Sequence, residues 1–173
     1  IQYLGQFNRW TFSDNEKRPM SVRAYLETAQ YKLANFENVT PDTYPLVTLF
    51  QLESIQPQPM YDNRAFLFQS KFDYTIMIDV EKDATDEMKL WAINFPAHYV
   101  EASKNNGVHV LINIPKEIIP EEYLYLFDLT IIKNKDLEYE VIMNRHYCTF
   151  TKRIIPCNYA DFLNNEEHKQ RLL

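Results

Sequence analysis

Two carboxylates close a strongly apolar run, Tyr74-Thr75-Ile76-Met77-Ile78-Asp79-Val80-Glu81. Residues two apart on a strand leave the same face, with backbones about 7 Å apart, so Asp79 and Glu81 form a pair at the end of a core strand. Paired hard oxygen donors at such a point suit Mg²⁺ or Mn²⁺. The same pattern also describes solvated rim charges continued by Lys82 and Asp83. His109 stands inside a second apolar run, Val108 to Ile114, two residues after Gly107. Glycine occurs only at Gly5 and Gly107, so its use here points to a backbone needing φ > 0 or to a close approach to a ligand. The competing readings are a neutral core histidine and a hairpin glycine after Asn105-Asn106.

A third acid can come from Glu138 or Glu140, which share one face of Leu137-Glu138-Tyr139-Glu140-Val141. Arg145, His146, Tyr147, Thr149, Thr151, Lys152 and Arg153 follow. Acids followed by cations on adjacent antiparallel strands can hold a metal on one side and a triphosphate on the other. Cross-strand salt bridging on a solvent face is the commoner fate of such charges. His146, Cys148 and Cys157 lie near one another, but their spacing matches no zinc finger or ribbon. The four histidines, His98, His109, His146 and His168, are scattered. That disfavours a relaxase-like strand transferase, which needs a nucleophilic Tyr near a His cluster.

These residues need strands to carry them. The spacing predicts strands over Leu46–Leu52, Tyr74–Glu81 and Val108–Ile114, then a pair, Glu138–Met143 and Tyr147–Lys152, joined across Asn144-Arg145. Ser21 reads as the cap of an amphipathic helix carrying Val22, Leu26, Ala29, Leu33 and Phe36, closed by Pro41 and Pro45. Further helices are expected over Thr85–Asn94 and, opened by a proline, Pro120–Phe127. Trp10 to Met20 reads as extended chain with a polar turn, Gln56-Pro57-Gln58-Pro59 as a loop, and the stretch from Tyr159 as a peripheral helix. Strands mixed with helices and antiparallel hairpins indicate an α+β fold.

Composition narrows the function classes. The 173 residues, 46% hydrophobic and 14% aromatic, are enough for a packed domain and too apolar for a disordered chain. Two glycines cannot build a Walker loop or a Rossmann turn. A net charge of −6 excludes a general basic coat for nucleic acid, though not a local groove or an acidic site that works through metal. Two cysteines fit a reducing compartment, and no apolar run reaches membrane-spanning length. The chain opens Ile1-Gln2-Tyr3 without Met or signal pattern and reads as a domain of a longer protein.

Taken together, the motifs resemble the archaeo-eukaryotic primase superfamily, specifically the primase-polymerase domains of phage, plasmid and mobile-element replication proteins. The resemblance runs from about Trp10 to Lys152. It rests on the order of Ile78-Asp79-Val80-Glu81, then Glu101-Ala102-Ser103 leading to Gly107-Val108-His109, then Glu140 and Arg145-His146-Tyr147-Cys148-Thr149-Phe150-Thr151. Upstream, Trp10 followed by Lys17-Arg18-Pro19 is similar to the family's early Trp and Lys-x-Pro segment. The turn before His109 lacks one glycine of the family pattern, the stretch from Glu140 to Arg145 is a residue short, and Cys148 is an insertion.

The resemblance implies a small N-terminal α/β unit beside an RRM-like mixed or antiparallel sheet, with residues 1–155 as catalytic domain and 156–173 as a peripheral helix or linker towards a downstream, commonly helicase, domain. It implies template-directed nucleotidyl transfer on single-stranded or primed DNA from dNTP or NTP substrates, in the cytoplasm of a bacterial or phage-infected cell. Asp79, Glu81 and Glu140 would hold two divalent ions, Mg²⁺ or Mn²⁺, with Glu138 as the alternative third acid. His109, Ser103, Lys104 and Arg145 would contact the nucleotide. The shortened turns favour a second expectation, a catalytically degenerate DNA-binding module of a replication initiator.

Overall fold

The computed structural model describes residues 2–34, 46–60, 63–95, 97 and 99–155. Phe36, Pro41, Pro45, His98, Cys157, His168 and the helix expected from Tyr159 lie outside the described residues. In order, the elements are α1 (Gln2–Gly5), β1 (Trp10–Ser13), α2 (Val22–Thr28), α3 (Leu49–Glu53), β2 (Asn63–Gln69), α4 (Ser70–Asp73) and β3 (Thr75–Val80). There follow α5 (Asp86–Ile93), β4 (Tyr99–Ala102), β5 (Val108–Asn113), two 3-10 helices (Lys116–Ile118 and Glu121–Asp128), β6 (Ile131–Asn134), β7 (Tyr139–Ile142) and β8 (Asn144–Phe150). The architecture is α+β, with antiparallel sheets of three and five strands. Among the described residues no helix is long and apolar enough to cross a membrane.

The chain divides into two compact units. The first, Ile1–Leu67 with Tyr147–Phe150, is built on the sheet β1-β2-β8. Trp10 is its buried centre: the ring packs 5.1 Å from Phe66 and 5.3 Å from Phe150, and its indole N–H donates to the Leu4 carbonyl at 2.8 Å. Buried Trp needs such a partner for its one polar atom. Lys17 and Arg18 lie on the turn after β1, where the Asp14 carboxylate accepts from the Glu16 and Arg18 amides.

Two expectations here are corrected. The helix from Ser21 stops after Thr28, because Ala29 is left-handed and returns its N–H to Tyr25. Thr28 helps to end it, its hydroxyl bonding the Ala24 carbonyl and accepting from Gln30 N–H. Leu33 instead bridges to Met20. The strand expected over Leu46–Leu52 is a single bridge, Val47 to Trp10, followed by α3. Thr48 and Gln51 form a capping box, and that local signal outweighs the β-branched run before it.

The second unit, Phe68–His146 with Thr151–Leu173, holds the five-stranded sheet in the order β4-β5-β3-β7-β6, every neighbouring pair antiparallel. β3 leads through α5 to β4, and β5 returns between them, a split β-α-β arrangement. Alternation sorts the faces. Ile76, Ile78, Val80, Val100, Val108, Val110 and Ile112 form one apolar face with Ala92, Met88 and Trp91 of α5. Thr85 caps α5, its hydroxyl accepting from Met88 N–H. The odd-numbered residues of β3 and β5, Asp79 and His109 among them, therefore leave the opposite face.

The hairpin expected across Asn144-Arg145 does not form. β7 pairs with β3 and β6, while β8 belongs to the other sheet. The buried Asn144 side chain turns the chain: its amide donates to the Phe127 and Leu129 carbonyls and its oxygen accepts from Lys71 N–H. The true hairpin is β6–β7, closed by Asn134 accepting from the Asp136 and Leu137 amides. Glu121–Asp128 is a 3-10 helix rather than the α-helix expected, and a period of three lines up Leu124 with buried Phe127.

Candidate active site

Register places five ionisable residues in one row. Glu101 is opposite His109, His109 opposite Asp79, Asp79 opposite Glu140, and Glu140 opposite Lys133. Directly opposed residues share a face, so these side chains cross all five strands over about 19 Å on the side away from α5. The row is graded in burial. Glu101 has 0% of its side chain exposed, His109 8%, Asp79 24%, Glu140 23% and Lys133 56%. The adjoining row on the same face is Tyr99, Leu111, Met77, Ile142 and Ile131.

At the buried end, the Glu101 carboxylate accepts four hydrogen bonds. Oε1 receives His109 Nδ1 at 2.8 Å and Thr151 N–H at 3.0 Å; Oε2 receives the Tyr99 hydroxyl at 2.7 Å and Lys152 N–H at 3.0 Å. Burial raises its pKa, but the bonds from His109, Tyr99 and Thr151 together outweigh it and hold the acid below the usual carboxylate range. The Tyr99 phenol is pushed up, first by burial and then by its bond to Glu101. His109 Nε2 faces Asp79 Oδ1 at 3.5 Å.

At the open end, Lys133 Nζ lies 2.8 Å from Glu140 Oε1. Its pKa is raised by the hydrogen bond and charge of Glu140, with a further contribution from Glu81. Glu81 lies one residue beyond β3, its N–H donating to the Glu138 carbonyl at 2.9 Å. Glu138 itself is in the β6–β7 turn with φ 54°, so Glu140 rather than Glu138 stands opposite Asp79. Among the described residues no three His, Cys, Asp or Glu side chains converge closely enough to hold a metal ion. Asp79 and Glu140 are brought together across the strands; Glu81 does not complete a three-acid cluster with them.

The turn joining β4 to β5 closes on itself. Ser103 N–H donates to the Gly107 carbonyl at 3.0 Å, Gly107 N–H to Ser103 Oγ at 2.8 Å, and Asn106, at φ 66°, takes the left-handed position. Gly107 therefore answers to close approach, and the neighbour is backbone rather than ligand. A Cβ there would collide with the Val80 carbonyl oxygen and lie 3.0 Å from Ser103 Oγ. Lys104 is exposed on the turn. Arg145 is not brought near the row: its guanidinium reaches Thr130 Oγ1 at 3.4 Å, and Thr130 precedes Lys133 by three residues, about 10 Å of strand. A second cation reaches the Ser103–Gly107 turn from outside it: Arg153 is bound to the Ser103 carbonyl and, at 3.1 Å, to Asn106 Oδ1.

Tyr99 and Lys133 belong to the site without a spacing signal that pointed to them, Arg153 stood only among the cations that follow the third acid, and Glu101 only as part of a motif. A two-residue alternation, Tyr99-x-Glu101, was the available signal for the buried end. Cys148 is buried, Cys157 lies outside the described residues, and among the described residues no set of His, Cys, Asp and Glu side chains converges to hold a metal. No protein-family model matches the chain, and no curated protein matches it significantly.

Proposed function

We propose that this chain is a primase-polymerase-type nucleotidyltransferase domain acting on a DNA template. The observation that carries the reading is the direct cross-strand opposition of His109, Asp79 and Glu140 on a split β-α-β sheet. The order β4-β5-β3-β7-β6 supports an RRM-like sheet extended by one hairpin strand, the sheet that the motif resemblance implies. The donor set fits Mg²⁺ or Mn²⁺ in kind, being carboxylate oxygens, about a quarter exposed at Asp79 and Glu140. Asp79 and Glu140 would hold the ions, with Glu81, one residue beyond β3, outside their cross-strand pair. When bound, such ions supply Lewis-acid charge for a 3′-hydroxyl nucleophile and a pyrophosphate leaving group.

This chain's own groups do the rest. His109 presents Nε2 beside Asp79 and would contact the phosphates or sugar of an incoming nucleotide, the role the motif resemblance implies. Lys104 and Arg153, on or bound to the Ser103–Gly107 turn, add positive charge for a triphosphate, and positioning with electrostatics dominates phosphoryl transfer. A dNTP or NTP, single-stranded or primed DNA, and a helicase domain or partner downstream complete the reading. Asp79→Ala is the test: metal-dependent incorporation on a primed template is expected to vanish while the far-UV spectrum and melting are retained. Undiminished synthesis by that variant refutes the assignment.

One observation favours a second reading, a non-catalytic DNA-binding module of a replication initiator: Glu140 is engaged by Lys133, and no three-acid cluster is formed among the described residues. Gel-shift with single-stranded DNA separates the two. Tight binding indifferent to Mg²⁺, with no synthesis, selects the module.

A further inference from the structure

We propose that Glu101 is a positioning residue that fixes the His109 ring and its proton. Only the identity of what Nε2 meets rests on the nucleotidyl-transfer reading. Glu101 has 0% of its side chain exposed, in a chain where its acidic neighbours in the row are open to water. Such burial is costly for a carboxylate unless every lone pair is matched, and here both oxygens are.

The assignment of the proton follows from the donors. A backbone N–H can only donate, so Oε1 accepts from Thr151 and Oε2 from Lys152. With Tyr99 donating as well, the carboxylate is fully served as an anion and has no proton to give. His109 Nδ1 must therefore carry the hydrogen of the 2.8 Å bond. Nε2 is left as the nitrogen that faces Asp79 and the open part of the row. A bond from the partner on one ring nitrogen fixes what the other can do, as it does for metal-binding histidines.

The carboxylate itself cannot swing. Ala102 N–H donates to the Arg153 carbonyl at 2.9 Å, Ile155 N–H to the Val100 carbonyl at 2.9 Å, and Thr151 Oγ1 to the Ala102 carbonyl at 2.6 Å. The segment after β8 is thus laced along the edge of β4 on both sides of Glu101. A purely structural Glu101 would anchor that segment and leave the ring indifferent to it.

Long-range ¹H–¹⁵N NMR of the imidazole nitrogens in the full chain decides between them. Wild-type His109 is expected to carry its proton on Nδ1, and an unprotonated Nδ1 overturns the inference without any variant. Glu101→Leu leaves no oxygen to accept from Nδ1, and the Nδ1–H form is expected to give way to Nε2–H, with Asp79 the carboxylate still beside the ring. Tyr99→Phe keeps the carboxylate and both amide bonds, and is expected to keep Nδ1–H. An Nδ1 signature unchanged in folded Glu101→Leu overturns the proposal. Titration with Mn²⁺-dATP is expected to show weaker binding by Glu101→Leu, about 10- to 100-fold as for partners that orient a metal-binding histidine. A wild-type chain that shows the Nδ1–H form, loses it in Glu101→Leu and binds no nucleotide sustains the positioning role and removes the nucleotidyl-transfer reading.

Discussion

Lys133 Nζ lies 2.8 Å from Glu140 Oε1, on the strand directly beyond the one that sets Glu140 against Asp79. A side-chain cation thus occupies the carboxylate that a divalent ion would need, and Glu81 adds to the field holding it there. Exposed ion pairs are weak, so this one competes with a metal without forbidding it. Lys133→Met is expected to bind Mn²⁺ more tightly than wild type, by about two- to fivefold on the scale of exposed pairs. Isothermal titration checks it; equal or weaker affinity shows that Lys133 does not compete.

Gly107 is held by close packing and not by a left-handed backbone, since no glycine of the described residues has positive φ. Gly107→Ala drives a methyl group against the Val80 carbonyl, which is backbone and cannot step aside. Overpacking of this kind costs about 1–3 kcal/mol. Urea unfolding is expected to show that loss, and an unchanged midpoint would mean that β3 and β5 separate more easily than their register implies.

Acid should weaken the fold through Glu101. Its native pKa is depressed, so below the unfolded value, about 4.3, the unfolded chain binds more protons than the native one. The stability it contributes is therefore complete above that pH and is lost as pH falls through the native pKa. Denaturant midpoints measured from pH 6 to pH 3 are expected to fall less steeply in Glu101→Gln than in wild type. Parallel curves would show that this carboxylate is not held ionised by its partners.

Arg145 and Arg153 should behave differently, although sequence order favoured the first. Arg153→Ala removes the guanidinium bound to the Ser103 carbonyl and Asn106 Oδ1, and is expected to weaken Mn²⁺-dATP binding. Arg145→Ala, acting at Thr130, is expected to leave it within about twofold of wild type, the ordinary effect of a distant surface change. Equal losses in both variants would return Arg145 to the site.

Much of the second unit was legible. β3 and β5 show as β-branched apolar runs, α5 by its Thr85 cap and early acids, and the α+β class by their alternation. The β6–β7 pairing was not, because Asn134 and Asn144 look alike as turn residues and only one closes a hairpin. The other is buried, and its partners at Phe127, Leu129 and Lys71 are 15 to 73 positions away. Local competition also misled at Thr28 and Thr48, where a hydroxyl redirected backbone bonds against the apolar period.

The sequence by itself determined which residues could do chemistry and which face of each strand they would occupy, since a period of two follows from the geometry of one extended chain. It put Asp79 beside Glu81, two positions away. Tertiary structure decided instead that Asp79 answers to His109 and Glu140, because register between strands is set by how two apolar faces fit α5 and each other. That fit depends on residues dozens of positions apart, and no spacing within a single segment can state it.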